Sequence, residues 1–162
     1  MRFWPFSSKP EEASVRPLEP RWFADCAQLH ARFFARSWGI ADFEELTRDR
    51  QVIADGAFDG RGKKCFGFAI SRLVAPEAEL LSIAVDPSRQ GHGLGRQLLA
   101  GHFARLAAQG ARTVFLEVEE GNNAALRLYD RFGFAKVGER AGYYPKKDGS
   151  RATALVMRLQ LG

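Results

Sequence analysis

The sequence predicts a single α+β domain, and three observations carry that expectation. Apolar residues recur with a period of two in some stretches and about 3.6 in others, without any internal repeat. Strand-like stretches come first as a run, then alternate with helix-like ones and end in a closing pair. The length, 162 residues, suits one domain with a sizeable core.

Taken in order, residues 15–18 read as a first strand. A helix is expected near 21–34, with Phe23, Ala27, Leu29, His30, Phe33 and Phe34 on its less polar side, until Ser37-Trp38-Gly39 breaks it. A short second helix over 41–50 has Asp42, Glu44 and Glu45 near its positive end. Residues 52–58 and 65–74 form a hairpin around the glycine-rich turn Asp59-Gly60-Arg61-Gly62. The next strand covers 78–85, where Leu81, Ile83 and Val85 alternate, and Asp86-Pro87 ends it. Leu94, Leu98, Leu99, Phe103, Leu106 and Ala107 keep helical spacing to Gln109, and Gly110 stops the helix. Residues 113–118 are strand-like and 124–132 helix-like; a further strand starts over 134–137, and 152–159 supplies the last.

Composition narrows the class. Apolar residues make up 46% and charged residues 27%, the balance of a soluble globular protein. No apolar run approaches the roughly 20 residues that span a bilayer. The first fourteen residues hold Phe3, Trp4 and Phe6, but Pro5, Pro10, Glu11 and Glu12 interrupt them, unlike a signal peptide. The expectation is a flexible tail over 1–14, a folded domain over 15–162, and a cytoplasmic location with Cys26 and Cys65 reduced. The two cysteines read as small core residues. His30, His92 and His102 are scattered, so no metal site is expected. A net charge of +5 and a pI near 9.6 suit polyanionic partners. Lys and Arg are spread along the chain with no basic tract, which argues against direct nucleic-acid binding.

Residues 81–96 run a strand through a turn into a helix start stripped of side chains by Gly91, Gly93 and Gly95. Bare amides at a helix N-terminus attract phosphate. A dinucleotide fingerprint beginning at Gly91 needs glycine where Arg96 stands, and the stretch beyond lacks an acidic residue in the ribose position. The only Gly-Lys pair, in Gly62-Lys63-Lys64, has no Ser or Thr after it to hold magnesium. What remains is Gln90-x-x-Gly93-x-Gly95. This pattern resembles the acetyl-coenzyme A loop of the GNAT family of N-acetyltransferases.

A second stretch extends the resemblance. Glu117 stands between Leu116 and Val118, so a strand points it away from its apolar neighbours. Such a carboxylate belongs either to a solvated face or to a donor or substrate cation. Asn122 suits a helix cap, and Tyr129, near Leu126 and Leu128, suits a packed aromatic with a bonded hydroxyl. Together, Asn122-x-x-Ala125-x-x-Leu128-Tyr129-x-x-x-Gly133-Phe134 is similar to the second cofactor-contacting segment of the family. Ile83-Ala84-Val85-Asp86-Pro87, Leu116-Glu117-Val118 and Gly142-Tyr143-Tyr144-Pro145 resemble its RimI-type ribosomal-protein N-terminal alanine acetyltransferases. The chain departs from that subgroup at Glu119, where Arg is usual, at Gly121, where Ser is usual, and at Ser37-Trp38-Gly39, which replaces Pro-Trp-Ser.

The resemblance implies a mixed, mostly antiparallel sheet of six to seven strands with about four helices packed on both faces. It implies acetyl-coenzyme A as donor, held by Ile83, Ala84, Val85, Gln90, Gly91, His92, Gly93, Leu94, Gly95, Arg96 and Asn122. Glu117 takes the general-base role and Tyr129 the general-acid role, while Trp38, Tyr143 and Tyr144 flank the acceptor. The implied acceptor is a protein N-terminus, such as that of a ribosomal protein, with the enzyme a monomer or weak dimer free of membrane and nucleic acid. Acetylation of a lysine or small-molecule amine, and non-catalytic acyl-coenzyme A sensing, are the alternatives.

Overall fold

The structure, a computed structural model, describes residues 13–162 apart from His92 and Lys147. Seven strands form one sheet in the order β1-β2-β3-β4-β5-β7-β6. They are β1 Ser14–Pro17, β2 Val52–Phe58, β3 Cys65–Val74, β4 Glu77–Val85, β5 Thr113–Glu119, β6 Ala135–Pro145 and β7 Arg151–Gln160. Among the described residues only β4 and β5 pair in parallel. A parallel pair needs a long crossover, and α3, Leu94–Ala108, supplies it. The other helices are α1 Phe23–Phe33, α2 Ile40–Arg48 and α4 Asn123–Phe132. Among the described residues no helix is long and apolar enough to cross a membrane.

The sheet separates two cores. On one face α3 and α4 pack Leu98, Leu99, Leu106 and Tyr129 against Ala69, Leu80, Val114, Leu116 and Val118. On the other face α1 and α2 pack Phe23, Cys26 and Phe43 against Phe58, Phe68, Ile70 and Ala84. Burying each large apolar side chain contributes about 1.5–3 kcal/mol, so both faces of the central strands are held. Helix α3 lies close against β1, and Gly101 permits this: a Cβ there would stand 2.8 Å from Val15 Cγ1.

Three sequence expectations change. The first helix opens with a 3-10 turn, Pro20–Trp22, and α1 proper begins at Phe23. Phe33 and Phe34 are 43% and 39% exposed, so they do not belong to its buried side; α1 ends at Phe33, and Phe34 is already extended. In β4 the alternation of Leu81 with Ile83 and Val85 fails. Ile70 pairs with Ser82 and Ser71 with Leu80, so Leu81 is an extra, bulged residue. It packs toward the α1–α2 face, whereas Ile83 and Val85 pack toward α3 and α4.

Candidate active site

The sheet opens at its parallel seam. β4 and β5 pair from Glu77 and Thr113 only as far as Leu80 and Leu116. Beyond that point β4 pairs with β3 alone and β5 with β7 alone. Peptide groups of Leu81–Val85 on the β5 side therefore face a gap between strands, a place where another extended chain can add its own hydrogen bonds.

The glycine loop closes one end of that gap. Gln90 donates from Nε2 to the Val85 carbonyl at 3.2 Å, tying the loop back to β4. Gly91 and Gly93 adopt φ of 84° and 75°, the left-handed region that side chains resist. Gly93 caps α3 and Leu94 begins it, so the first amides of the helix have no intrahelical acceptor. Leu94 is buried in the core and Arg96 is exposed; Leu94 can therefore offer a ligand only backbone. Gly95 sits where a Cβ would stand 3.6 Å from Leu128 of α4, bringing the two helices together at the loop. His92 lies outside the described residues.

Glu117 lies on the stretch of β5 beyond its pairing with β4, and Tyr129 is buried on the opposite face of the sheet. Leu116 and Val118 belong to the α3–α4 core, so Glu117 projects to the other face. Tyr129 is buried on the α3–α4 side, its ring 5.5 Å from that of Phe134. Burial, and to a lesser degree Tyr144, drives its hydroxyl pKa well above the ordinary value of 10, so it is protonated at neutral pH. Asn122 accepts a hydrogen bond from the Ala125 N–H at 3.2 Å. Its side chain thus caps α4 through Oδ1.

Around Glu117 the far sheet edge gathers polar and aromatic groups. Arg140 Nε lies 3.2 Å from Glu117 Oε1, and its guanidinium sits 5.3 Å from the centre of the Tyr143 ring. Tyr143 and Tyr144 meet edge to face at 5.2 Å. Burial raises the Tyr144 hydroxyl pKa, and the Glu117 charge adds to the effect, which puts Tyr144 electrically beside Glu117. Arg140 was absent from the residues the motifs single out; it is visible only once β6 and β7 bring it across from β5.

Trp38 is held from the helical side. Its N–H donates to His30 Nδ1 at 2.9 Å, and the rings stack at 4.5 Å. Phe43 and Phe68 enclose the same imidazole. A deeper network also lies outside the motifs. His102 on α3 bonds Ser71 of β3 through Nε2 at 2.7 Å and Asp55 of β2 through Nδ1 at 2.6 Å, and Arg105 pairs with Asp55. All three members besides Arg105 are buried, so this Ser-His-Asp arrangement anchors α3 to the sheet and presents no nucleophile. Cys26 and Cys65, far apart in sequence, are both buried with free thiols, and Cys65 Sγ donates to the Gly67 carbonyl at 3.3 Å; the neighbouring Cys65 and burial push the Cys26 thiol pKa up.

The sequence profile of the acetyltransferase (GNAT) family matches residues 22–134. The [ribosomal protein bS18]-alanine N-acetyltransferase of Escherichia coli strain K12 is 44% identical over 148 residues, covering 91% of this chain and 97% of that protein. The enzyme of the same description from Haemophilus ducreyi is 43% identical over 94 residues, and that match spans 58% of this chain and 65% of its relative. The crystal structure of the ribosomal-protein-S18-alanine N-acetyltransferase from Escherichia coli superposes with a TM-score of 0.83 at 32% identity, covering 93% of this chain and 95% of that one. Profile, relatives and superposition agree with the open seam and its glycine loop: the chain belongs to the acetyltransferase (GNAT) family and is an acyltransferase whose acetyl donor is acetyl-coenzyme A.

Proposed function

We propose that this protein acetylates the N-terminal α-amine of a protein with a small first residue such as Ala or Ser, a ribosomal protein being the leading candidate. The observation that carries the proposal is the seam that opens after Leu80 and Leu116, with Glu117 on one face and Tyr129 on the other. The relatives named for alanine acetylation on ribosomal protein bS18 support the choice of acceptor.

In this reading the pantetheine arm of the donor lies along the free edge of Leu81–Val85, and amides from Gly91 to Arg96 take the pyrophosphate. An amide of Ile83–Val85 polarises the thioester carbonyl. The acceptor comes from the opposite face, between Trp38 and the pair Tyr143 and Tyr144. An α-amine has a pKa near 7.7–8.0, against about 10.4 for lysine, so a carboxylate suffices to remove its proton near neutrality. Glu117 takes that proton, directly or through one water. The C–N bond forms, the C–S bond breaks, and the Tyr129 hydroxyl gives its proton to the departing sulfur. Solvent then returns a proton to Tyr129 and removes one from Glu117. Both substrates are bound together, without a covalent enzyme intermediate. The chain works in the cytoplasm as a monomer or weak dimer, without contact to membrane or nucleic acid.

Thiol release from acetyl-coenzyme A, measured with peptides beginning in Ala or Ser, internal-lysine peptides and polyamines, tests this. Turnover on the α-amines is expected, with Glu117→Gln and Tyr129→Phe each lowering it about a hundredfold or more. Double-reciprocal plots should intersect; parallel lines, or unchanged turnover in Glu117→Gln, would sink the mechanism. Turnover confined to lysines or polyamines would replace the acceptor.

A further inference from the structure

We propose that the Ser82 hydroxyl is a further catalytic group of this site: it hydrogen-bonds the attacking nitrogen and holds it on the Glu117 side of the seam. The inference rests on the acetyl-transfer reading above. It does not depend on which amine is the acceptor.

Ser82 is only 6% exposed, and its Oγ has no hydrogen-bond partner among the described residues. A buried hydroxyl without a partner costs stability, and alanine would fit the same space without that cost. Such a group persists in a fold when something other than folding uses it. Among the described residues no other side-chain nitrogen or oxygen that is cut off from solvent lacks a partner, and the Ser71, His102 and Asp55 network, which begins on neighbouring β3, is bonded throughout.

The backbone puts this hydroxyl where the reaction needs it. In a regular strand Ser82 would share a face with Leu80, which packs into the α3–α4 core. The extra residue Leu81 reverses that. Ser82 instead lies opposite Ile70, and Ala84 opposite Phe68, both of the α1–α2 face. Glu117 projects to the same face from β5, because Leu116 and Val118 fill the other. The bulge occurs where the β4–β5 pairing stops, since Leu80 is the last residue of β4 to pair with β5. Bulges next to active sites commonly re-aim one side chain, and here the re-aimed side chain is Ser82. The two lips of the seam thus carry a hydroxyl and a carboxylate on the acceptor side.

The chemistry is complementary. A hydroxyl accepts one N–H of the incoming amine through a lone pair, while Glu117 accepts the proton that leaves. With two of its hydrogens directed to fixed acceptors, the nitrogen lone pair is aimed at the thioester between the strands.

The test is Ser82→Ala in the full-length enzyme, with Ser82→Thr as the variant that restores a hydroxyl. Ser82→Ala should lower kcat/KM for the acceptor about tenfold, leave the Kd for acetyl-coenzyme A within twofold, and hold or raise the melting temperature. Ser82→Thr should recover part of the loss. A Ser82→Ala enzyme with wild-type kcat/KM overturns the inference. So does a melting temperature lowered by several degrees, which would make Ser82 structural. If the wild type acetylates no amine in the panel, the acetyl-transfer reading fails and the inference falls with it; an active wild type equalled by Ser82→Ala removes the role of Ser82 alone.

Discussion

Acidification from about pH 7.5 to 5 should weaken the fold by about 2 kcal/mol through His30 alone. The imidazole is 2% exposed and sits among Phe34, Trp38, Phe43 and Phe68. Its Nδ1 accepts the Trp38 N–H, so a proton there would set two N–H groups against each other. Burial lowers the pKa from 6.5 to about 4, and the nearby Asp42 opposes this only weakly. The folded value lies below the unfolded one. Between them the unfolded chain binds the extra proton, so stability falls as pH drops through 6.5 and levels off below about 4. At roughly 1.4 kcal/mol per pKa unit the full loss reaches about 3 kcal/mol near pH 4. Asp86, whose carboxyl is held below its usual range chiefly by hydrogen bonds from Ser88, contributes in a separate window, under about pH 3.9. Urea unfolding at pH 7.5, 6.5, 5.5 and 5 reads the slope directly. His30→Asn keeps an acceptor for the Trp38 N–H without a titrating ring, and it should flatten the curve between pH 6.5 and 5. The same slope in both proteins, or an imidazole NMR titration midpoint near 6.5, would refute the reasoning.

Three other perturbations probe the scaffold. Asp55→Asn strips the charge from a buried network that holds His102 and Arg105; a loss of about 3 kcal/mol is expected from denaturant midpoints, with faster amide exchange along α3. Gly101→Ala forces a Cβ to 2.8 Å from Val15 and should destabilise by about 1 kcal/mol. In a Val15→Gly background, which removes the Val15 Cβ at 2.9 Å as well as Cγ1, the sign should invert, because alanine is the better helix residue by about 1 kcal/mol; a double-mutant cycle that stays additive would exclude the contact. Gly93→Ala meets open space but keeps φ at 75°, so it should cost about 1–2 kcal/mol of strain and raise the KM for acetyl-coenzyme A while sparing that for the acceptor.

Legibility of the fold followed the range of the interaction that decides each feature. β2 and β3 begin and end where turn residues and apolar periodicity put them, because both signals are local. The glycine loop is also local: φ of 84° and 75° at Gly91 and Gly93 is a property of four consecutive residues. The contacts that complete the site span long separations. Arg140 meets Glu117 only through β7, and the His102 network joins residues 31 and 47 positions apart. No periodicity records such pairings.

The clearest contrast lies in the two strands that frame the seam. The same rule of alternation covers Glu117 in β5 and Leu81, Ile83 and Val85 in β4. It holds in β5, whose pairing with β7 runs without a shift from Thr113 to Glu119. It fails in β4, where the extra residue Leu81 rotates everything after it to the opposite face. An inserted residue has no signature in an apolar run, since Leu81 is as acceptable on the α1–α2 face as on the other. The consequence is chemical as well as topological. A regular β4 would bury Ser82 against α3 and α4 and put Ile83 beside Leu81 on the α1–α2 face; the bulge sits where the pairing with β5 ends and delivers the hydroxyl to the face of Glu117. The irregularity that defeats the sequence rule is therefore the feature that opens the site.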